Sequence, residues 1–137
     1  MGKEKKEYSV LVLMSVYNGE KYLREQLDSI LGQKGCNVML LIRDDGSCDG
    51  SGKILQEYLN GGQRARFYPV IEGKNIGVIQ SFFELLYAAV EFSHEYVALA
   101  DQDDIWQEDK LAAAIIAIQR GEKLARKEGE EKPCLYA

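Results

Sequence analysis

Three acids, Asp101, Asp103 and Asp104, stand within four residues, directly after the apolar run Tyr96 to Ala100. Carboxylates this close repel one another, and each costs free energy when it leaves water. A divalent cation offsets both problems. Hard cations such as Mg²⁺ take one or two carboxylates and complete their shell with phosphate oxygens of a ligand. The spacing therefore predicts a strand that delivers Asp101 and Asp103 to a metal holding a phosphorylated ligand. The plainer alternative is a solvated acidic turn whose Asp104 caps the following helix. Two other polar clusters follow apolar runs in the same way: Tyr17-Asn18 after residues 9–16, and Asp44-Asp45 after residues 37–42.

Those runs must be strands if the clusters are to meet. Residues 9–16 are almost continuously apolar, the pattern of a strand buried on both faces of a parallel sheet. Tyr17-Asn18-Gly19 is a turn signal. A helix is expected over 20–31, with Tyr22, Leu23, Leu27, Ile30 and Leu31 at helical spacing and Gly32 and Gly35 ending it. A second strand follows at 37–42, and then the polar loop 43–51. A helix is expected over 52–59, capped by Asp49 or Ser51. Residues 66–71 read as a third strand, weakened by Pro69 and so short or near an edge. After the loop 72–77 comes the strongest helical pattern, 78–92, with Phe82, Phe83, Leu85, Leu86, Ala89 and Val90 on a broad apolar stripe. The fourth strand is 96–100. A last helix begins between Trp106 and Asp109, and 133–137 looks like the opening of a further strand.

Strands alternating with helices predict an α/β layer architecture with a mainly parallel sheet. Ligands of such sheets bind beyond the carboxyl ends of the strands, where strand order reverses. All three polar clusters lie at those ends, which a set of unrelated solvated loops does not explain.

Bulk properties narrow the ligand. The chain has 137 residues, 46% hydrophobic and 28% charged, with a net charge of -5. That is one domain of ordinary globular composition, without the basic excess expected of a nucleic-acid or anionic-membrane binder. No apolar run is long enough for a membrane span, and the charged start, Lys3 to Lys6, lacks the apolar stretch of a secretory signal. Cys36, Cys48 and Cys134 show no CxxC spacing and read as reduced cytosolic thiols. The lone His94 reads as a surface residue. Neither GxGxxG nor GxxxxGKS occurs, which argues against a standard dinucleotide fold or a P-loop ATPase. A glycosidase-like carboxylate pair needs one raised pKa in a partly apolar pocket, which acids packed beside a metal would not have. What remains is a nucleotide diphosphate neutralised by a metal on Asp103. Asp44 or Asp45 could accept a hydrogen bond from a base N–H or a ribose hydroxyl, and Tyr17 could pack on the base.

Four pieces, in order, carry a resemblance: Val12 to Leu23, Asp44-Asp45-Gly46-Ser47-Cys48-Asp49-Gly50, Asn75-Ile76-Gly77, and Asp101-Gln102-Asp103-Asp104-Ile105-Trp106 with Lys110-Leu111. With these the chain resembles the N-terminal, nucleotide-sugar-binding portion of a family 2 glycosyltransferase of the GT-A fold, a Rossmann-like α/β/α sandwich, over about residues 8–137. The form Ala-Asp-Gln-Asp-Asp-Ile-Trp is similar to the branch of rhamnosyltransferases acting on bacterial cell-surface polysaccharides. The resemblance implies that Val16, Tyr17, Asn18, Asp44 and Asp45 line the base pocket, and that Asn75 and Gly77 lie on a loop near the donor, where Lys74 could reach a phosphate. It implies that Asp103 is the direct ligand of Mg²⁺ or Mn²⁺, and that Asp101, beside Gln102, bonds the ribose or reaches the metal through water. Asp104 would support the site or cap the helix, and Trp106 would pack at the site's margin or, the favoured reading, anchor that helix in the core. Ser15 stands where the family usually has proline.

The implied reaction is inverting transfer from a UDP- or dTDP-linked sugar to a hydroxyl of a saccharide or lipid-linked acceptor. It would take place in the cytoplasm, or at the inner face of the membrane for the full-length protein. The family's general base lies later in the chain, on the acceptor-side half, so it is expected beyond Ala137. Residues 1–7 are expected to be disordered or tag-like. The chain is expected to be a piece that binds donor and metal without turnover, with a dimer favoured by the apolar surface so left uncovered. Two other classes compete: a nucleotidyltransferase, which would normally carry a glycine-rich basic loop after the first strand, and a non-catalytic interaction domain.

Overall fold

The computed structural model describes residues 7–127, and side-chain environments up to residue 122. Four strands form one sheet: β1 (Tyr8–Val16), β2 (Cys36–Asp44), β3 (Ile71–Glu72) and β4 (Tyr96–Ala100). Every pairing is parallel, in the order β3-β2-β1-β4. The helices are α1 (Leu23–Leu31), α2 (Ser51–Leu59), α3 (Val78–Ala89) and α4 (Lys110–Lys127).

This strand order explains where the helices lie. From β1 to β3 the chain steps one way across the sheet, and then returns past β1 to β4. Parallel crossovers are right-handed, so reversing the step moves the connecting helix to the opposite face. Accordingly α1, α2 and α4 pack on one face, where Val10, Val12, Met14, Val38, Leu40 and Ile42 meet Leu27, Ile30, Ile54, Leu55 and Ile115. Among the described residues α3 covers the other face, through Leu85 against Leu11, Leu13 and Leu41. Both faces of β1 are buried, which is why its sequence is continuously apolar rather than alternating. The strand order reverses between β1 and β4, so the switch point lies beyond Val16 and Ala100.

Several boundaries differ from the sequence-based expectation. The third strand shrinks to Ile71–Glu72, paired with Arg43 and Asp44, and lies at the sheet edge. Pro69 has no N–H to give to a ladder. Upstream of it the chain makes a 3-10 turn at Arg64–Arg66, and Phe67 forms only an isolated bridge to Leu40. The first helix starts at Leu23, because the carbonyl of Gly19 takes the N–H groups of Tyr22 and Leu23 in a turn. The third ends at Ala89, after which Phe92 turns to stack on Tyr68 with centroids 3.8 Å apart. Its apolar stripe is wider than the sheet can cover, leaving Phe83 60% and Val90 83% exposed. The last helix starts at Lys110, so Asp104 is not its N-cap; the Asp104 carboxylate instead accepts a hydrogen bond from Lys110 Nζ at 3.0 Å. The backbone N-cap of α2 is Gly50 rather than Asp49 or Ser51, although the Asp49 carboxylate does take the Ser51 N–H at 2.9 Å. His94 is half-buried, not a plain surface residue: its ring bridges Ser9 Oγ at 2.6 Å and Tyr68 OH at 2.8 Å. Trp106 is buried in the core as expected. Cys36 is buried, Cys48 exposed, and both are free thiols. The expected strand at 133–137 and residues 1–6 of the tag-like start lie outside the described residues.

Candidate functional site at the carboxyl rim of the sheet

The end of β1 is stitched to the loop after β2. Asn18 adopts the left-handed region at φ 49, which a short polar side chain tolerates. Its Oδ1 accepts the Cys48 N–H at 2.8 Å, and its N–H donates to Ser47 Oγ at 3.0 Å. The next two residues continue the seam, Gly19 N–H donating to Ser51 Oγ at 2.8 Å and Glu20 N–H to the Asp49 carboxylate at 3.2 Å. The Glu20 carboxylate returns a bond from the Gly50 N–H at 3.1 Å. Val16 gives the rim only its backbone: the side chain is core, and the carbonyl takes the Asp45 N–H at 2.8 Å. Tyr17 stands out from this seam, 40% exposed.

The two neighbouring acids have opposite environments. Asp44, the last residue of β2, is half-buried; one carboxylate oxygen takes the Ser47 N–H at 3.0 Å, and the residue lines an open cleft with Gly46, Ser47, Glu72 and Gly73. Asp45 is 2% exposed. Its oxygens take the N–H groups of Ile76 at 2.9 Å and Gly77 at 3.1 Å, and the guanidinium of Arg43. Arg43 also reaches Ser81 Oγ at 3.2 Å and the Lys74 carbonyl at 3.1 Å, and Ser81 meets Ser15 Oγ at 2.6 Å. Ser15 and Arg43 continue the alternation of Leu13 and Leu41, so a polar plug closes the top of the α3-facing layer. The Asn75-Ile76-Gly77 loop hangs from that plug, Gly77 at φ 90. Asn75 and Lys74 are exposed beside it.

The third cluster leaves β4 as a tight turn. The Asp104 N–H closes it onto the Asp101 carbonyl at 3.3 Å, and Asp103 within it has φ 72. Gln102 ties it to β1, its Nε2 donating to the Tyr17 carbonyl at 2.9 Å and to the Tyr22 hydroxyl. Burial and the charge of the adjoining Asp103 push the Tyr22 phenol above its ordinary range, against the opposing bond from Gln102. Asp101 and Asp103 are exposed, and neither pairs with a cation among the described residues. Thus Tyr17, Asn18, Asp44, Asn75, Gly77, Asp101, Gln102 and Asp103 share one rim, with Asp45 buried beneath it.

Two exposed carboxylates of a short turn suit a hard cation. Among the described residues, no three His, Cys, Asp or Glu side chains converge as a protein-only metal cage. This donor set fits an ion that brings most of its ligands as water and phosphate oxygens. A small, partly open pocket lies elsewhere, between β4 and α4, lined by Val10, Tyr96, Trp106, Leu111 and Ile115. It is apolar, whereas the rim is open and acidic.

Sequence reasoning missed Arg43, Ser81, Gln26 and Tyr22. Arg43 and Asp45 carried a usable signal: opposite charges two apart at a strand end point to the same face. Gln26, which is buried and donates to the Asp101 carbonyl at 2.5 Å, stands within an apolar stripe where an amide needs a reason to be.

Residues 11–125 match the family model described as Glycosyl transferase family 2. A dTDP-rhamnosyl transferase, RfbG of Shigella flexneri, is 35% identical over 103 residues, covering 74% of this chain and 35% of that protein. The putative teichuronic acid biosynthesis glycosyltransferase TuaG of Bacillus subtilis is 32% identical over 103 residues, covering 74% and 38%. The chain thus spans about a third of the length of the curated relatives it matches. Among solved structures, a mannosyltransferase of Pyrobaculum calidifontis in complex with GDP-Man and Mn²⁺ superposes with a TM-score of 0.66 at 23% identity, over 80% of this chain and 32% of that one. S. aureus TarS in complex with UDP-GlcNAc gives 0.65 at 25% identity, over 82% and 31%.

Proposed function

The chain belongs to glycosyl transferase family 2, and from that premise we propose that its rim binds the nucleotide diphosphate of a sugar donor together with a divalent metal. The sugar would pass to an acceptor hydroxyl with inversion. The observation that carries this reading is that Tyr17, Asp44 and Asp101–Asp103 follow the carboxyl ends of three neighbouring parallel strands, with Gln102 tied to Tyr17 across the switch point between β1 and β4. RfbG, a dTDP-rhamnosyl transferase, supports a dTDP-linked sugar and rhamnose, and the UDP-GlcNAc held by TarS supports a UDP-linked one, while the Pyrobaculum enzyme holds GDP-Man.

In this reading the exposed ring of Tyr17 packs on the base, and Asp44 takes a base N–H. Asp45 does not touch the donor: its oxygens are committed to Arg43 and the 76–77 backbone, so it sets the loop in place. Asp101 would bond the ribose or help hold the cation, and Asp103 would hold Mg²⁺ or Mn²⁺. The metal, when bound, supplies stabilisation of the negative charge that develops on the departing diphosphate. The general base that takes the acceptor's proton is placed, as the family resemblance implies, on the acceptor side of the enzyme.

Calorimetry with UDP and dTDP, with and without Mn²⁺, tests this on the wild type and Asp103→Ala. Metal-dependent binding that is lost in the variant is expected. Equal, metal-independent heats would overturn the reading.

A further inference from the structure

Tyr22, Gln26, Ser29 and Gln33 recur at intervals of three and four residues on and around α1, which places them on one helical face. Each touches the segment that runs from β4 to α4. Tyr22 meets Gln102 and adjoins the Asp103 carboxylate. Gln26 Nε2 donates to the Asp101 carbonyl at 2.5 Å. Ser29 Oγ accepts the Trp106 N–H at 3.0 Å. Gln33 donates to the Gln107 carbonyl at 2.6 Å and accepts the Leu111 N–H at 2.9 Å.

Gln26 and Gln33 are buried among leucines and isoleucines, where an apolar residue of the same size would avoid the cost of hiding an amide. Both amides are spent on the backbone of the acid-bearing segment. That segment needs holding. Asp103 sits at φ 72, a left-handed conformation that aspartate enters more readily than most residues but that still costs free energy, so contacts to the turn favour it over the alternatives. The Asp101 carbonyl accepts both Gln26 and the N–H that closes the turn.

We infer that Gln26 and Tyr22 are positioning residues for the cation: α1 sets the Asp101–Asp104 turn in the shape that lets Asp103 bind it, and neither residue touches the ion. The inference rests on the donor-and-metal reading above.

The test is Mn²⁺ titration in the presence of UDP, following the free Mn²⁺ resonance, with thermal melting in parallel. The proteins are wild type, Gln26→Leu, Tyr22→Phe, Gln33→Leu and Asp103→Ala. Removing a group that orients a metal ligand typically weakens the metal on the order of 10- to 100-fold, and that loss is expected for Gln26→Leu and Tyr22→Phe. Gln33→Leu breaks the same kind of bond farther from the acids; it should lower the melting midpoint and leave Mn²⁺ affinity unchanged. Tyr22→Phe deletes one oxygen from a half-buried ring and keeps the test decisive if Gln26→Leu does not fold. Wild-type Mn²⁺ affinity in Tyr22→Phe and in every folded form of Gln26→Leu, with loss in Asp103→Ala, would overturn the inference and leave the donor reading standing. Absence of UDP-linked Mn²⁺ binding in the wild type would overturn both.

Discussion

The Arg43 guanidinium and the Asp45 carboxylate are 2.5 Å apart and both almost wholly buried, directly under the rim that carries the exposed acids. Their neighbour Asp44 is turned to the open cleft. Two adjacent aspartates therefore do different work, and substitution should separate them. Removing one partner of a buried ion pair leaves the other charge uncompensated, so Asp45→Ala should cost about 3–5 kcal/mol of stability. Asp44→Ala should cost little stability and weaken nucleotide binding instead. Urea denaturation midpoints set beside UDP calorimetry check both halves.

Gly46 follows this pair at φ 78, and a Cβ there would stand 2.8 Å from the Asn75 backbone nitrogen. The loop after β2 and the loop before α3 thus touch through a position that has room for no side chain. Gly46→Ala should cost about 2 kcal/mol, from the left-handed strain together with the displaced Asn75 backbone. Because the 75–77 loop must move, Asp45 should lose its bonds to Ile76 and Gly77, and amide exchange at those two residues should speed up.

How much of this was open to sequence reading follows from the physics of each part. The strands β1 and β2 were legible because both their faces are largely covered, and β4 because it is a short unbroken apolar run, although Val97 stays exposed. The third was misjudged because a two-residue pairing at an edge leaves almost no periodic trace, and Pro69 hides where it begins. The position of the acids was legible because an apolar run must stop where the sheet ends, so the polar residues that follow it fall at the rim. The difference between Asp44 and Asp45 was not, since it depends on where β2 stops and the alternation hands Asp45 to the α3 side. The amides of Gln26 and Gln33 were overlooked because helical spacing shows which residues face inward and not what an inward amide bonds to.

The histidine bridge at the opposite end of the sheet should give stability a pH dependence. Burial holds the His94 imidazole below its ordinary value of 6.5. The folded state therefore disfavours the proton that the unfolded chain accepts. The stability this contributes is complete above the unfolded value and is lost as pH falls through about 6.5 toward the lower folded value. The melting midpoint should decline between pH 7.5 and roughly 5.5, and His94→Gln should flatten the decline. An unchanged slope in that variant would remove His94 as its source.

The seam between the first two loops makes the last prediction. Burial alone would raise the Asp49 carboxyl, but bonds from the Ser51 hydroxyl and from the N–H groups of Ser51 and Glu20 hold it below its ordinary value. Its ionised form therefore fastens the start of α2 to the turn before α1, and that contribution fades as pH falls through the lowered value. A hydrogen bond typically contributes about 1 kcal/mol net, and Asp49→Ala should cost on that order near neutral pH. Its local effect should be larger. The Glu20 and Ser51 amides lose their acceptor together, so both should exchange faster in the variant while amides in the middle of β1 keep their wild-type rates. Should the two amides respond separately, the loops are held by something other than this carboxylate. A joint response would mean that the ground from which Tyr17 projects is set by a residue on the neighbouring loop.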